Sequence, residues 1–140
     1  ININRKKILL MHGDTLCVDD EKYQEFRKLV RSPVWQSQML EKPLSERLQI
    51  ATKLRNESQI EINLKDEFIM DVNKEEVENI FDRYDVDELI HGHTHRPNIH
   101  KIKMKDKYVR RIVLGDWYKS SYVLFYDSNG ILIDRHHLSN

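Results

Sequence analysis

The sequence is short of several things, and each shortage excludes something. It holds a single cysteine, Cys17, among 140 residues. No intrachain disulfide can staple the fold, and a reducing compartment is the simpler setting. Acidic and basic side chains balance at 23 each, which argues against a dedicated nucleic-acid binder with a basic face. No apolar run approaches the roughly 18 residues of a membrane span. No secretory signal pattern opens the chain, and neither absence excludes a peripheral membrane role. Internal repeats and low-complexity tracts are missing too. The first residue is Ile1 rather than Met, and a strand pattern follows at once. The expectation is a processed or truncated piece of a longer protein, itself the size of one ordinary domain.

What is present is organised around Val86 to Ile90 and the stretch after it, His91-Gly92-His93-Thr94-His95-Arg96-Pro97. In extended backbone, residues i and i+2 face the same way. His93 and His95 are therefore expected to aim two imidazoles at one place, with Gly92 free to bend and Pro97 ending the run. Neutral imidazole is a common metal ligand; a histidine-rich surface turn is the plainer alternative. Earlier in the chain, Ile1 to Met11 reads as one strand whose last part, Ile8-Leu9-Leu10-Met11, suits burial on both faces. It runs into His12-Gly13-Asp14. Two histidine loops, each ending a buried strand, match the place where open α/β sheets bind ligands.

Between the loops the chain is helical by pattern. Asp19-Asp20-Glu21 favours a helix start, and Lys22 to Arg31 carries Tyr23, Phe26, Leu29 and Val30 at helical spacing. Pro33 opens a second helix with Val34, Trp35, Met39 and Leu40. Pro43 opens a third, with Leu44, Leu48, Ala51 and Leu54 in a stripe. These stripes predict core packing, with a greasy groove for a hydrophobic ligand as the alternative. Asn56 to Asp66 fits a linker or a fraying helix end. Asn73 predicts an N-cap, with Glu76 at the capping-box spacing, for a helix Lys74 to Tyr84 burying Val77, Ile80 and Phe81. Asp85 ends it before the strand Val86 to Ile90. After Pro97 come a strand through Ile99, Ile102 and Met104, a turn at Asp106-Lys107, and a strand Tyr108 to Leu114. A hairpin follows, turning at Asp127-Ser128-Asn129-Gly130. His100, His136 and His137 are expected to be exposed.

Three stretches together carry a family resemblance. Gly92-His93-Thr94-His95 after a strand resembles the last motif of calcineurin-like metallophosphoesterases, and His12 resembles their isolated histidine ligand. Met11-His12-Gly13-Asp14-Thr15-Leu16-Cys17-Val18-Asp19-Asp20 is more specific, as are Ile69 to Asn73 and His91 to Pro97. They resemble the bacterial UDP-2,3-diacylglucosamine hydrolase (pyrophosphatase) family of lipid A biosynthesis. The likeness runs from about residue 8 to 118.

The resemblance implies an α/β (α+β) fold: part of a metallophosphoesterase-type β-sandwich flanked by helices, with a helical insert over 20–66 that would cover acyl chains. It implies two Mn2+ ions, with His12, His93 and His95 at metal-ligand positions, His12 and His93 serving one ion and His95 the other. Asp20, Ser58, Asn63, Lys65 and His93 match substrate-contact positions, although Ile62 competes with Asn63 for one of them. His91 matches no ligand position and is expected to hydrogen-bond nearby backbone. The implied reaction is attack of a dimetal-activated hydroxide on UDP-2,3-diacylglucosamine, giving UMP and 2,3-diacylglucosamine 1-phosphate. The implied location is cytoplasmic, peripheral on the inner membrane. The superfamily's D-x-H, G-D and G-N-x-D motifs do not occur before His12, and Gly115-Asp116 comes too late to replace them. The chain therefore resembles a C-terminal part, expected to be inactive alone and to need the preceding segment. Another nucleotide diphosphate or phosphodiester as substrate, or a non-catalytic remnant, stays open as an alternative.

Overall fold

The computed structural model describes residues 1–64, 69–118, 120–128 and 130–138, apart from the side chains of 62–64. The fold is mixed α/β: four helices, a five-stranded sheet and a two-stranded sheet. It divides into two compact units, one of Ile1–Leu16 with Val72–Asn140 and one of Cys17–Asp71.

The first unit contains all the strands. β1 (Asn2–Ile3), β2 (Lys6–Met11), β3 (Glu88–His91), β4 (Asn98–Lys103) and β5 (Tyr108–Val113) form a sheet in the order β1-β2-β3-β5-β4. β2, β3 and β5 run parallel to one another, while β1 and β4 are antiparallel edge strands. The sheet has two apolar faces because neighbouring residues point to opposite sides. Leu89 and Val109, on one face, join Leu16, Val86 and the Val77, Ile80 and Phe81 of α4 (Lys74–Tyr84). Ile8, Ile90 and Ile112, on the other, pack with Leu124, Tyr126, Ile131 and Ile133. Those residues come from the hairpin β6 (Ser120–Asp127) and β7 (Gly130–His137).

Local chemistry explains the boundaries. The Asn73 side chain accepts the Glu76 amide at 3.0 Å and caps α4. Asp85 ends the helix in the left-handed region, φ 45°. Its carboxylate meets Lys7 at 2.6 Å and Lys107 at 3.3 Å. Hydrogen bonds from Lys7 and then Lys107 hold its pKa below the usual carboxylate range.

The predicted single strand over Ile1 to Met11 is a hairpin instead. Asn4 and Arg5 both have positive φ, 50° and 65°, so two residues turn the chain between β1 and β2. The apolar run is covered on both faces, Ile8 packing on one side and Leu9 and Met11 on the other, although Leu10 is 54% exposed. His100 is half-buried rather than exposed, since it faces the same side of β4 as Ile102. His136 and His137 are exposed, as expected.

The second unit holds α1 (Glu21–Val30), α2 (Pro33–Glu41) and α3 (Leu44–Leu64). Asp20 caps α1 by accepting the Tyr23 amide at 3.1 Å, and Ser32 caps α2 by accepting that of Trp35 at 3.2 Å. Lys22 and Glu61 approach to 3.7 Å and link α1 to α3. The predicted core packing of the stripes is not found: α1 and α2 bury no residue, and Leu44 and Leu48 of α3 are exposed. Of the two expectations for the stretch from Asn56, a linker or a fraying helix end, the structure has helix through Leu64.

Candidate functional site

The carboxyl ends of the three parallel strands gather the chemistry. β2 runs into His12, Gly13 and Asp14; β3 ends at His91 and continues into His93 and His95; β5 is followed by Asp116. The Gly92 amide donates to the His12 carbonyl at 3.1 Å and ties the first two loops together. The His12 and His93 rings then lie 4.9 Å apart between centroids, tilted by 58°.

Asp14 is buried, and its carboxylate is 3.2 Å from His12 Nδ1. A carboxylate only accepts, so a hydrogen bond across this contact would have Nδ1 as its donor and leave Nε2 available. An outer carboxylate that orients a histidine in this way is a recurrent feature around protein metals. His95 Nδ1 lies 3.8 Å from Asp116. Neither acid stood out in the sequence as a site residue. Asp14 enters the sequence reading only within the run after His12, and Asp116 only as a Gly-Asp pair that comes too late for the missing motif.

The loop backbone departs from expectation. His93 and His95 have φ of 65° and 53°, a left-handed conformation that costs a non-glycine residue about 1 kcal/mol. The Thr94 amide closes a three-residue turn around His93 onto the Gly92 carbonyl at 2.8 Å. Strand alternation therefore does not operate here. His93 lies beside His12, and His95 lies beside Asp116. Thr94 Oγ1 is shut off from solvent and has no hydrogen-bond partner among the described residues.

Among the described residues, no group of three or more His, Cys, Asp or Glu side chains is placed to hold a metal ion. Two imidazoles with a carboxylate behind one of them fit part of a nitrogen-preferring site for manganese or zinc, with fewer donors than stable sites use.

Apart from His93, the expected substrate contacts belong to the other unit. Asp20 is buried and serves as the α1 cap, and Ser58 is exposed on α3. Lys65 and the side chains of Ile62 and Asn63 lie outside the described residues. His91 donates no ring to the loop's open side. It is buried, and its Nδ1 meets the Gly92 carbonyl at 2.9 Å, the backbone contact expected of it.

No family model matches the chain. It is, however, similar to curated proteins named UDP-2,3-diacylglucosamine hydrolase. The one from Pseudomonas syringae pv. tomato is 44% identical over 131 residues, covering 94% of this chain and 53% of that protein. The one from Photorhabdus laumondii is 51% identical over 113 residues, covering 81% and 47%. That from Chromohalobacter salexigens is 47% identical over 115 residues, covering 82% and 47%. The chain spans about half the length of the curated relatives it matches.

Proposed function

We propose that this chain, a sequence relative of the UDP-2,3-diacylglucosamine hydrolases, forms one wall of a dimetal centre that hydrolyses the pyrophosphate bond of UDP-2,3-diacylglucosamine. The products would be UMP and 2,3-diacylglucosamine 1-phosphate. The observation that carries the reading is the juxtaposition of His12 and His93 at the carboxyl ends of parallel strands, with Asp14 behind His12.

In this reading His12 and His93 hold one Mn2+ and His95 contributes to a second. Such ions supply positive charge for phosphoryl oxygens and lower the pKa of water. The chain's own residues orient and bind. Asp14 fixes the His12 ring, so that one nitrogen faces outward without a search through rotamers. Lys65 offers a point charge to phosphate, and Ser58, Asn63 and Asp20 offer polar contacts to the UDP-sugar. The uncovered apolar residues of the helices, such as Leu40, Leu44 and Leu48, face the acyl chains at the cytoplasmic surface of the inner membrane. No helix among the described residues is long and apolar enough to cross a membrane. Thr94 Oγ1, buried and unpartnered, is suited to a group outside these 140 residues.

Two measurements test this. Calorimetry on the isolated chain is expected to show weak Mn2+ binding and no hydrolysis, because the donors fall short of the three or more protein ligands of stable sites. Two tight Mn2+ sites would overturn that part. In a full-length protein carrying this chain, His12→Ala or His93→Ala is expected to lower hydrolysis of UDP-2,3-diacylglucosamine by about a hundredfold or more. Unchanged rates would overturn the assignment.

A further inference from the structure

His91 is the histidine of the loop for which the proposed reaction has no use. It is 1% exposed at the end of β3, and both of its ring nitrogens are engaged. Nε2 is 3.1 Å from Arg111 Nη1, and Nδ1 is 2.9 Å from the Gly92 carbonyl. A guanidinium has only donors and a carbonyl only accepts. One proton arrangement satisfies both contacts: Nε2 bare and accepting from Arg111, Nδ1 protonated and donating to Gly92.

The Gly92 carbonyl is the hub of the loop. It accepts His91 Nδ1–H and also the Thr94 amide at 2.8 Å, which uses both of its lone pairs. The second of these bonds closes the turn that holds His93 at positive φ. Strained backbone of this kind persists only where its surroundings fix it from several sides. The same imidazole also touches the other histidine loop. A Cβ placed on Gly13 would lie 2.7 Å from His91 Nδ1, so the residue after His12 packs directly on the ring. On the remaining side, the Leu114 amide donates to the His91 carbonyl at 2.8 Å and anchors it to the end of β5.

We propose that His91, fixed as the Nδ1–H tautomer by Arg111, is a positioning residue that sets the Gly92–His95 backbone against the His12–Gly13 loop. It thereby sets the separation of the His12 and His93 rings. That these rings hold an ion rests on the reading above; the tautomer and the loop registration do not.

Long-range 1H–15N correlations of the histidine rings in the 15N-labelled chain test the tautomer. Nδ1–H at His91 is the expected result, lost to a mixture in Arg111→Met. Nε2–H in the unsubstituted chain would overturn the proposal. A pair of variants separates positioning from packing. In His91→Asn the amide nitrogen takes the place of Nδ1; in His91→Gln it takes the place of Nε2. MnCl2 is then added while its paramagnetic broadening of the His12 and His93 ring signals is followed. His91→Asn is expected to behave nearly as the unsubstituted chain, and His91→Gln to need about tenfold more Mn2+, with its Thr94 amide shift displaced. Folded Asn and Gln variants that behave alike would overturn the proposal. If Mn2+ broadens neither ring while the Nδ1–H tautomer and the Thr94 shifts follow expectation, the metal reading fails and the positioning role stands.

Discussion

Helices α1 and α4 differ in length by one residue, and each carries apolar side chains at helical spacing among charged ones. α4 buries Val77, Ile80 and Phe81; α1 buries nothing. The difference is the partner surface. α4 lies on a sheet face that presents Leu89 and Val109, whereas Phe26 and Leu29 of α1 are 39% and 55% exposed. An apolar stripe shows what a helix can bury, and a facing surface decides whether it does. The apolar surface left over in the unit Cys17–Asp71 is the kind that marks ligand, membrane or protein contact.

The largest expected effect tests the α4 side of this comparison. Phe81→Ala removes a ring that is 2% exposed, and is expected to cost about 3–5 kcal/mol in denaturant unfolding. A loss below about 1 kcal/mol would mean that α4 is no better packed than α1.

Next comes Glu88 at the opposite ends of the same strands, buried and bonded to Lys6 at 2.8 Å and to Arg110 Nε at 2.9 Å. Burial raises its pKa, but the hydrogen bonds from Lys6 and Arg110 outweigh it, so the net direction is down from 4.5. A depressed carboxylate adds stability above its unfolded pKa and loses it as pH falls through the folded value. Glu88→Gln is therefore expected to cost about 2 kcal/mol at neutral pH, because both cations are partly exposed to solvent. Thermal unfolding followed between neutral pH and about pH 3 should show a shallower acid loss than in the unsubstituted chain. An identical acid limb would assign that loss to other groups. A smaller effect, about 1 kcal/mol, is expected when Asn73→Ala removes the α4 cap.

How far the sequence discloses this structure depends on whether the deciding interaction is local. α4 is legible because its cap, its buried triad and its stop at Asp85 all lie within thirteen residues of one another. The β6–β7 hairpin is legible for the same reason. The hairpin at Asn4-Arg5 is not, because no glycine marks its left-handed residues. The helical course of 56–64 is obscured by its polarity, although Lys53 and Glu57, 3.9 Å apart on one face, support it. At the candidate site the histidines stand out by type, but their directions do not. Positive φ at His93 and His95 has no sequence signature, and it breaks the strand alternation on which the expectation rested. Asp14 beside His12, Asp116 beside His95 and Arg111 beside His91 become visible only once β2, β3 and β5 are in register.

The smallest expected effect sharpens the α1 side. Leu29→Ser places a hydroxyl where an apolar side chain is 55% exposed, and is expected to change unfolding stability by no more than about 0.5 kcal/mol. The stripe would nevertheless have a use if this helix faces lipid. In sedimentation with vesicles containing anionic phospholipid, the same substitution should then weaken binding, by less than about 1 kcal/mol for half-buried apolar area of this size. A stability loss near 2 kcal/mol would show that Leu29 is covered in solution and would remove the contrast with α4. Neutrality in both measurements would leave α1 with an apolar face that neither packs nor binds. The acyl-chain role would then fall to the exposed leucines of α2 and α3, Leu40, Leu44 and Leu48, where the same pair of measurements applies.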